Sequence, residues 1–324
     1  MADNFLAQFE QAWRPLNPDV ASILATIYTE NKDFKPLSQM TPVEARAAVA
    51  TMYAIFNYGP PALPHIDQRV IAAASGPIRV RLYDPGVPAP APTIVYFHGG
   101  GWVLNDIDNY DGVTRQLAQR SGMRVLSVDY ALAPEHPFPI PLQDCVAAVR
   151  WAAREGASLG IDPNRISLAG DSAGANLALA TCLALREAGG PALRCAALIY
   201  GCYSTSTDAP TYKEYGGGAY FMSTADVKWY WKQYLGDAVA HPDPLAAPLL
   251  ANLAGLPPLY VTACEFDVLR DDSEKLVQKL KAAGINVEFQ LWKGMVHAAV
   301  NLMGWIGAMG PYMDQVGAFL KRNT

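Results

Sequence analysis

The pattern of apolar positions along the 324-residue chain changes near residue 60. Before that point apolar residues recur at helical spacing, as Phe5, Phe9 and Trp13 do. Thr41–Glu44 has the order of a helix start, with an N-cap threonine, a proline at the first position and a glutamate three residues on. The proline-rich break Tyr58–Pro64 then ends this helical region.

Beyond the break, short apolar runs alternate with helical patterns, and the first two runs are separated by Ser75-Gly76-Pro77, where we expect a turn. The predicted strands are Val70–Ala73, Ile78–Tyr83, Thr93–Phe97, Arg124–Val128, Arg165–Ala169, Ala196–Tyr200, Leu259–Ala263 and Val287–Leu291. The predicted helices between them include Leu142–Arg154, Ala173–Ala188 and Ser273–Ala283. Continuous apolar strands separated by helices indicate an α/β fold whose mostly parallel central sheet is flanked by helices.

One long interval between the sixth and seventh strands has no strand pattern and is rich in aromatic residues. Residues 206–238 contain Tyr212, Tyr215, Tyr220, Phe221, Trp229, Tyr230, Trp231 and Tyr234. We interpret it as a helical insertion that packs with the N-terminal helices over one end of the sheet. The predicted organisation is a helical cap segment at 1–60 and a catalytic domain at 61–324 that contains this cap insertion.

Composition excludes several classes of protein. The chain has 25 Lys+Arg against 30 Asp+Glu, so no basic excess is present to bind nucleic acid. No window reaches the 18 or so apolar residues of a membrane span, and the start lacks the pattern of a signal peptide. The odd number of cysteines, most of them in apolar runs, favours reduced, buried thiols: Cys145, Cys182, Cys195, Cys202 and Cys264. We therefore expect a soluble, cytoplasmic protein.

The first chemical motif is the G-x-S-x-G sequence Gly170-Asp171-Ser172-Ala173-Gly174. It lies between a predicted strand and a predicted helix, and so sharp a turn forces the serine into a strained backbone conformation. Glycines are needed on both sides because side chains there would collide with the neighbouring strand and helix. This context favours Ser172 as a nucleophile over a residue that merely caps the helix.

A second motif, His98-Gly99-Gly100-Gly101-Trp102, follows the strand predicted at Thr93–Phe97. Consecutive glycines present bare backbone N–H groups, which is what a developing oxyanion needs in acyl transfer. We predict that the N–H groups of Gly100 and Gly101, with that of Ala173, form the oxyanion hole. A phosphate-binding loop is disfavoured because no G-K-[ST] follows.

A nucleophilic serine needs a base, and the chain has five histidines. His65, His136 and His241 each adjoin a proline in loop-like stretches, and His98 belongs to the glycine turn. His297 lies just beyond the last predicted strand, where a loop can return to the active edge. Elimination therefore selects His297.

The base in turn needs a carboxylate that orients its imidazole. Asp267 follows the strand predicted at Leu259–Ala263, and Glu265 is its close competitor. Asp271 and Asp272 have the position of acids at a helix start. With Asp267 the chain order is Ser-Asp-His, which is that of α/β-hydrolases.

At these residues the sequence resembles the hormone-sensitive lipase-like (family IV) esterases of the α/β-hydrolase superfamily. The motifs that carry the resemblance are HGGGW at 98–102, DYALAPEHPFP at 129–139, GDSAG at 170–174, DVLRDD at 267–272 and GMVH at 294–297. The resemblance implies the α/β-hydrolase fold and ester hydrolysis by Ser172, His297 and Asp267, and it decides for Asp267 over Glu265. It also implies a homodimer, and the reaction requires no metal or organic cofactor. The residues expected to complete the motifs or border the substrate pocket are His98, Gly99, Trp102, Asp171, Tyr220 and Phe221.

The chain departs from the family pattern in four places. Ala131 occupies the position of a usual arginine, so a structural ion pair is expected to be missing, and Asn105 stands where a glycine often follows the oxyanion turn. Val268 replaces a common proline, and Ala298-Ala299 replaces a frequent Gly-Phe, which predicts a wider pocket beside His297.

The expected substrates are short- to medium-chain esters, since the aromatic cap would enclose a modest apolar pocket. The same aromatic residues are equally well explained by packing of the cap against the sheet. An amide or formamide hydrolase using the same triad is the alternative enzyme. A catalytically silent small-molecule receptor is disfavoured because all three triad residues are present.

Overall fold

A computed structural model describes residues 11–30, 35–57 and 59–324. Phe5 and Phe9 of the first predicted helical pattern lie outside the described residues. None of the helices in these three ranges has the length and apolar character that crossing a membrane requires.

The described chain forms an eight-stranded sheet in the order β1-β2-β4-β3-β5-β6-β7-β8. Strands β1 and β2 pair antiparallel, β2 pairs antiparallel with β4, and every other neighbouring pair is parallel. The strands are β1 (His65–Ala73), β2 (Gly76–Asp84), β3 (Ala91–Phe97), β4 (Arg124–Val128), β5 (Ile161–Asp171), β6 (Ala196–Ile199), β7 (Leu259–Phe266) and β8 (Val287–Val296). The mostly parallel sheet predicted from the apolar runs is confirmed.

Helices separate most of the strands, as the alternation of patterns predicts. The α-helices are α1 (Pro18–Glu30), α2 (Pro42–Phe56), α3 (Asp111–Ser121), α4 (Ile140–Glu155), α5 (Ala173–Glu187), α6 (Pro210–Tyr215), α7 (Thr224–Leu235), α8 (Arg270–Ala282) and α9 (Met309–Asn323). Short 3₁₀ turns occur at Leu37–Gln39, Gly156–Leu159, Gly236–Ala240, Pro248–Leu250 and Ala299–Leu302. The sheet has its core strands buried on both faces, and every residue of β4 and β6 is buried.

The strand ends differ most from the predicted elements: β8 continues to Val296, five residues beyond the predicted end, and two other strands begin early. Strand β1 begins at His65, five residues before the predicted start, and β5 begins at Ile161 rather than Arg165. Their first residues include polar and exposed ones, so an apolar run does not reveal them. The first turn also differs: it consists of Ala74 and Ser75, and Gly76 already pairs with Ala73 in the hairpin.

The helix start predicted at Thr41 forms as the sequence indicates. The Thr41 side chain accepts a hydrogen bond from the Glu44 N–H, and the Glu44 carboxylate accepts from the Thr41 N–H at 2.7 Å. This reciprocal capping satisfies donors that a helix start leaves unpaired. It determines where α2 begins.

The N-terminal helical region contacts the interval between β6 and β7. The Trp13 indole donates to the Ala219 carbonyl at 2.7 Å, and the Ser38 N–H donates to the Asp226 carboxylate at 3.0 Å. Helices α6 and α7 lie within the aromatic interval, and no strand interrupts it in the part that the structure describes, which includes all of 206–238. Residues from both regions meet above the ends of β3 and β5, where the two chemical motifs lie.

Candidate active site

Ser172 occupies a sharp turn between β5 and α5. Its φ of 54° and ψ of −120° are a conformation that L-residues rarely adopt. The Ser172 N–H donates to the Ile199 carbonyl at 2.8 Å, which anchors the turn to the neighbouring strand. A Cβ on Gly170 or Gly174 would overlap backbone oxygens, because those glycines pack against each other and against the end of β3. Close packing therefore holds the serine hydroxyl above the sheet edge.

The three residues predicted as a triad are within hydrogen-bonding distance of one another. His297 Nε2 lies 2.8 Å from Ser172 Oγ, and His297 Nδ1 lies 2.7 Å from Asp267 Oδ2. A carboxylate can only accept, so Nδ1 carries the proton and Nε2 is left to accept from the serine hydroxyl. This is the tautomer that general-base activation of the serine requires.

Burial and one further hydrogen bond orient the acid. Asp267 is 1% exposed and His297 is 6% exposed. The second carboxylate oxygen of Asp267 accepts from the Leu269 N–H at 2.9 Å. The competing acid, Glu265, instead accepts from the Gly294 N–H at 2.8 Å and does not contact the histidine. The geometry thus gives Asp267 and Glu265 different partners, whereas sequence spacing alone did not decide which of them orients the histidine.

The glycine motif brings three backbone N–H groups to the same cavity as the serine. Gly100, Gly101 and Ala173 all line this cavity, and no acceptor within the described residues receives their N–H groups. Gly100 has a φ of 121° and Gly101 a φ of 60°, conformations that favour glycine. A Cβ on Gly101 would also strike the ring of Tyr230, so the loop depends on a bare backbone. The N–H groups are free to bind a developing oxyanion.

Asp171 links the serine turn to the glycine loop. Its carboxylate accepts from the Gly99 N–H at 3.0 Å and from the hydroxyls of Tyr96 and Tyr110 at 2.8 and 2.9 Å. Burial raises the pKa of this carboxyl, while the two tyrosine hydrogen bonds oppose that shift. The residue beside the nucleophile therefore holds the oxyanion loop in position from below.

The cavity above Ser172 has a volume of about 90 Å³, small beside typical ligand sites of about 300–1,000 Å³. Its apolar lining comes from both ends of the chain and comprises Leu37, Val49, Met52, Trp102, Leu104, Phe221, Met222, Val227, Trp231 and Leu269. Such a site accepts a compact acyl or alcohol group.

Of the residues expected at the pocket, three line the cavity and three do not. Trp102, Asp171 and Phe221 line it. His98 and Gly99 do not: the imidazole of His98 is buried beneath the loop and stacks on Tyr130 at 4.3 Å. Tyr220 also lies outside the lining. Its ring stacks on Phe266 at 5.6 Å and its hydroxyl donates to the Ala12 carbonyl, so for this residue the packing alternative is correct.

Several lining residues have no signal in the sequence motifs. Val49, Met52 and Tyr53 reach the cavity from α2, and Asn301 reaches it from the 3₁₀ turn after His297. The helical spacing of α2 predicts that these three share a face, but it does not tell which partner that face meets. Two other lining residues, Asn105 and Ala298, are departures from the family pattern.

Asn105 replaces a family glycine without penalty to the loop shape. Its φ is 72°, in the left-handed region that asparagine tolerates better than most residues. Its side-chain amide donates to the Gly99 carbonyl at 3.2 Å. The glycine-like backbone is therefore kept, and a polar side chain is added beside the oxyanion loop.

The other departures lie around the site. The Ala131 N–H donates to Asp144 at 3.1 Å, and the segment that follows is tied to α2 by an ion pair between Arg46 and Glu135. Val268 is buried and its carbonyl accepts from the Thr211 hydroxyl. Ala298 lines the cavity with a φ of 63°, a conformation that costs an alanine more than a glycine.

Within residues 11–30, 35–57 and 59–324, no three His, Cys, Asp or Glu side chains are grouped so as to hold a metal ion. The carboxylate and imidazole side chains that line the cavity are those of Asp171, Asp226 and His297. The Asp226 carboxylate is occupied by the N–H groups of Ser38 and Ser223 and by the Ser223 hydroxyl.

Comparison with known proteins agrees with this geometry. Residues 94–301 match the model of a family described by the alpha/beta hydrolase fold. The chain is 38% identical over 253 residues to esterase LipI of Mycobacterium tuberculosis, covering 75% of this chain and 79% of that one. It is 32% identical over 292 residues to an ethyl acetate hydrolase of Pseudomonas putida, covering 87% of this chain and 91% of that one.

Solved structures give the same result over nearly the whole length. A thermostable esterase from Pseudomonas putida superposes with a TM-score of 0.89 and 34% identity, covering 96% of this chain and 98% of that chain. A hyperthermophilic esterase from Pyrobaculum calidifontis gives a TM-score of 0.90 and 32% identity, covering 95% and 98%.

Proposed function

Since the chain belongs to the α/β-hydrolase family, as a carboxylesterase of the hormone-sensitive lipase-like group, we propose that Ser172, His297 and Asp267 hydrolyse short- to medium-chain esters through an acyl-enzyme. The observation that carries the proposal is the 2.8 Å approach of His297 Nε2 to Ser172 Oγ, with Asp267 2.7 Å from the other ring nitrogen. A hydroxyl, an imidazole and a carboxylate in this order are the groups that nucleophilic acyl transfer needs.

In the first half of the proposed reaction, His297 Nε2 takes the Ser172 proton as Oγ attacks the ester carbonyl carbon. The carbonyl oxygen becomes an oxyanion and binds the N–H groups of Gly100, Gly101 and Ala173. The imidazolium that forms is stabilised by Asp267 and returns the proton to the alcohol oxygen as the C–O bond breaks. The alcohol leaves, and the acyl group stays on Ser172.

In the second half, a water molecule replaces the alcohol. His297 takes a proton from this water as its oxygen attacks the acyl carbon, and the same N–H groups hold the oxyanion. The proton then passes to Ser172 Oγ as the acyl bond breaks and the acid leaves. The reaction therefore requires an imidazole that can accept a proton at Nε2.

The size of the cavity supports small substrates. At about 90 Å³ it has room for a short acyl or alcohol group, and its apolar lining favours groups without charge. We propose that the cap formed by the 1–60 segment and the 206–238 insertion limits chain length, a role supported by Met52 and Phe221 at the cavity wall. Initial rates on p-nitrophenyl acetate, butyrate and palmitate test this, and preference for palmitate would contradict it. An anilide and a formamide in the same series test the alternative amide hydrolase.

Replacement of the nucleophile tests the mechanism. Ser172→Ala should lower kcat on p-nitrophenyl butyrate by about 10⁶ while the circular dichroism spectrum stays unchanged. Ser158→Ala, at an exposed serine, is the matched control and should keep wild-type kcat. A phosphonate ester that labels wild-type protein at Ser172, identified by peptide mass, gives a second readout. Full activity of Ser172→Ala would refute the assignment.

Two properties of the whole protein complete the proposal. The five cysteines are buried and unpaired, which supports residence in a reducing compartment, the cytoplasm. Strand β8 lies at an edge of the sheet and carries Phe289, which is 38% exposed, and this supports a homodimer formed through that edge. Light scattering after size-exclusion chromatography measures the oligomeric state directly.

A further inference from the structure

Two buried asparagine side chains line the same cavity as Ser172, and each has a carbonyl oxygen without a hydrogen-bond partner. Asn105 is 8% exposed and Asn301 is 4% exposed. Oδ1 of each residue accepts no hydrogen bond within the described residues. A buried acceptor that no donor satisfies costs free energy, so a ligand that brings a donor regains it.

The orientation of each amide is determined by the partner of its NH₂ group. Asn105 Nδ2 donates to the Gly99 carbonyl at 3.2 Å, and a carbonyl can only accept. Asn301 Nδ2 donates to the Tyr110 hydroxyl at 3.3 Å. That hydroxyl gives its own proton to Asp171 at 2.9 Å, so it too can only accept from the asparagine. A 180° rotation of either amide would place its oxygen against an acceptor, so the orientation of both amides is fixed.

Both amides also lie close to the reacting groups. Asn105 belongs to the loop that carries the oxyanion N–H groups, and a Cβ built on Gly100 would lie 2.8 Å from Asn105 Nδ2. Asn301 lies in the 3₁₀ turn Ala299–Leu302, four residues after His297. Both are anchored to the Asp171 network, one through Gly99 and the other through Tyr110. Both side chains thus belong to the cavity that holds the nucleophile.

We propose that Asn105 and Asn301 form an acceptor subsite for a hydroxyl group of the substrate, so that the preferred esters carry a hydroxyl close to the ester linkage. The inference rests on the esterase function proposed above and narrows its substrate class. A neutral donor fits because the amides are neutral and the Asp226 carboxylate, which also lines the cavity, already binds the N–H groups of Ser38 and Ser223. The hydroxyl lies on either the acid or the alcohol part of the ester.

Matched pairs of esters test the inference on the wild-type protein and distinguish the two positions. 2-Hydroxyethyl acetate is compared with propyl acetate, and methyl lactate with methyl isobutyrate. Each ratio of kcat/KM is divided by the corresponding ratio for hydroxide-catalysed hydrolysis, which removes intrinsic reactivity. One pair should show a normalised preference of about tenfold for the hydroxyl ester, since a donor reaches an otherwise unpaired acceptor. Normalised ratios near or below one in both pairs would overturn the inference.

Variants then assign the preference to the two amides. Asn105→Gly removes one acceptor and suits the positive φ, and Asn301→Leu removes the other at similar volume. Each should lower the normalised preference several-fold and affect propyl acetate less, because only the hydroxyl ester loses a partner. Asn286→Leu, at an exposed asparagine outside the cavity lining, is the matched control and should leave the preference as in wild type.

The possible outcomes separate this inference from the function on which it rests. Wild-type protein that hydrolyses none of the four esters would refute the esterase proposal itself. A preference that survives in both asparagine variants would show that other groups bind the hydroxyl and would refute only the subsite. If one variant does not fold, the other variant and the wild-type ratios decide.

Discussion

At the scale of single residues, the site depends on glycines, because glycine has no Cβ. Gly174 lies in the first turn of α5, two residues after the nucleophile, and a Cβ there would collide with the Phe97 and His98 carbonyl oxygens at the end of β3. The close approach of α5 to β3 is what brings Ser172 and the oxyanion loop to one cavity. The second glycine of the G-x-S-x-G motif is therefore required by this backbone contact.

Gly174→Ala should destabilise the protein and reduce activity together. Backbone cannot move aside as a flexible side chain can, so we expect a loss of about 3 kcal/mol or more in the free energy of unfolding. Gly217→Ala is the matched control, because a Cβ at Gly217 meets nothing within 4 Å. Urea unfolding followed by tryptophan fluorescence measures both. Equal stability of the two variants would mean that the contact is not made.

At the scale of elements, one arginine fastens α2 to the loops around the site. Arg46 Nε donates to the Val103 carbonyl, and the guanidinium also binds the Ala133 carbonyl and Glu135, each at 2.6–2.8 Å. Helix α2 carries Met52 to the cavity wall, so this contact sets the distance between the helix and the oxyanion loop. Ala131 replaces the family's usual arginine, so an ion pair was expected to be missing from the 129–139 segment. The ion pair between Arg46 and Glu135 attaches this segment to α2.

Arg46→Lys should weaken this attachment, since an ammonium group cannot reproduce the planar fork. We expect a loss of about 1–3 kcal/mol in the free energy of unfolding, together with a higher KM for p-nitrophenyl butyrate. Arg69→Lys is the control: Arg69 pairs with Asp67 on the exposed surface, and such pairs contribute about 0–1 kcal/mol. A KM shift of the same size in both variants would contradict the role of α2.

The first turn of α8 holds a buried carboxylate that also acts at this scale. Asp272 accepts from the N–H groups of Tyr203 and Ser204 at 2.8 and 2.9 Å, which ties α8 to the segment after β6. Burial raises the pKa of Asp272 from its ordinary 3.8 to about 7. The folded chain therefore binds a proton more tightly than the unfolded chain does. This stabilisation is complete below about pH 4 and is lost as the pH rises through about 7.

Asp272→Asn removes that titration. The stability of wild type relative to the variant should decline as the pH rises from 4 to 8, by up to about 4 kcal/mol at 1.36 kcal/mol per pKa unit. Urea unfolding of both proteins at pH 5, 6, 7 and 8 measures the difference. A difference that is constant over this range, or that grows with pH, would show that Asp272 is ionised throughout.

At the scale of the whole molecule, the burial of the cysteines shows how fully the core excludes solvent. All five are buried and none forms a disulfide in the described chain. Burial raises the pKa of every one of these thiols, which keeps them in the unreactive protonated form. Their distribution over α4, α5, β7 and the segments on either side of β6 makes them probes of this part of the core.

A thiol reagent such as 5,5′-dithiobis(2-nitrobenzoate) should react with none of the five thiols on the time scale of minutes in native buffer and with all five in 6 M guanidinium. Dithiothreitol should leave the melting temperature unchanged, because no disulfide contributes to stability. Rapid labelling of one native thiol would indicate local opening around it, and its position would be identified by peptide mass.

Local patterns predicted a large part of this protein. Short apolar runs predicted the sheet strands, and the motifs around Ser172 and His98 indicated acyl transfer from the sequence alone. His297 followed by elimination among five histidines, and the predicted hydrogen-bond partners Ser172 and Asp267 lie within 2.8 Å of it. The partly polar strand starts 65–69 and 161–164 were not predicted, because their pairing comes from a neighbouring strand and not from their own hydrophobicity.

The linear sequence by itself determined the fold class and the chemistry of the nucleophile, because period, glycine spacing and chain order are local properties. Only the tertiary structure decided that Glu265 faces a backbone N–H while Asp267 faces the imidazole, and that Tyr220 packs against Phe266 outside the cavity. It likewise decided that Asn105 and Asn301, nearly 200 residues apart, line one cavity and that each has a side-chain oxygen without a hydrogen-bond partner among the described residues. The direction in which a side chain points depends on contacts between distant segments, which no local pattern encodes.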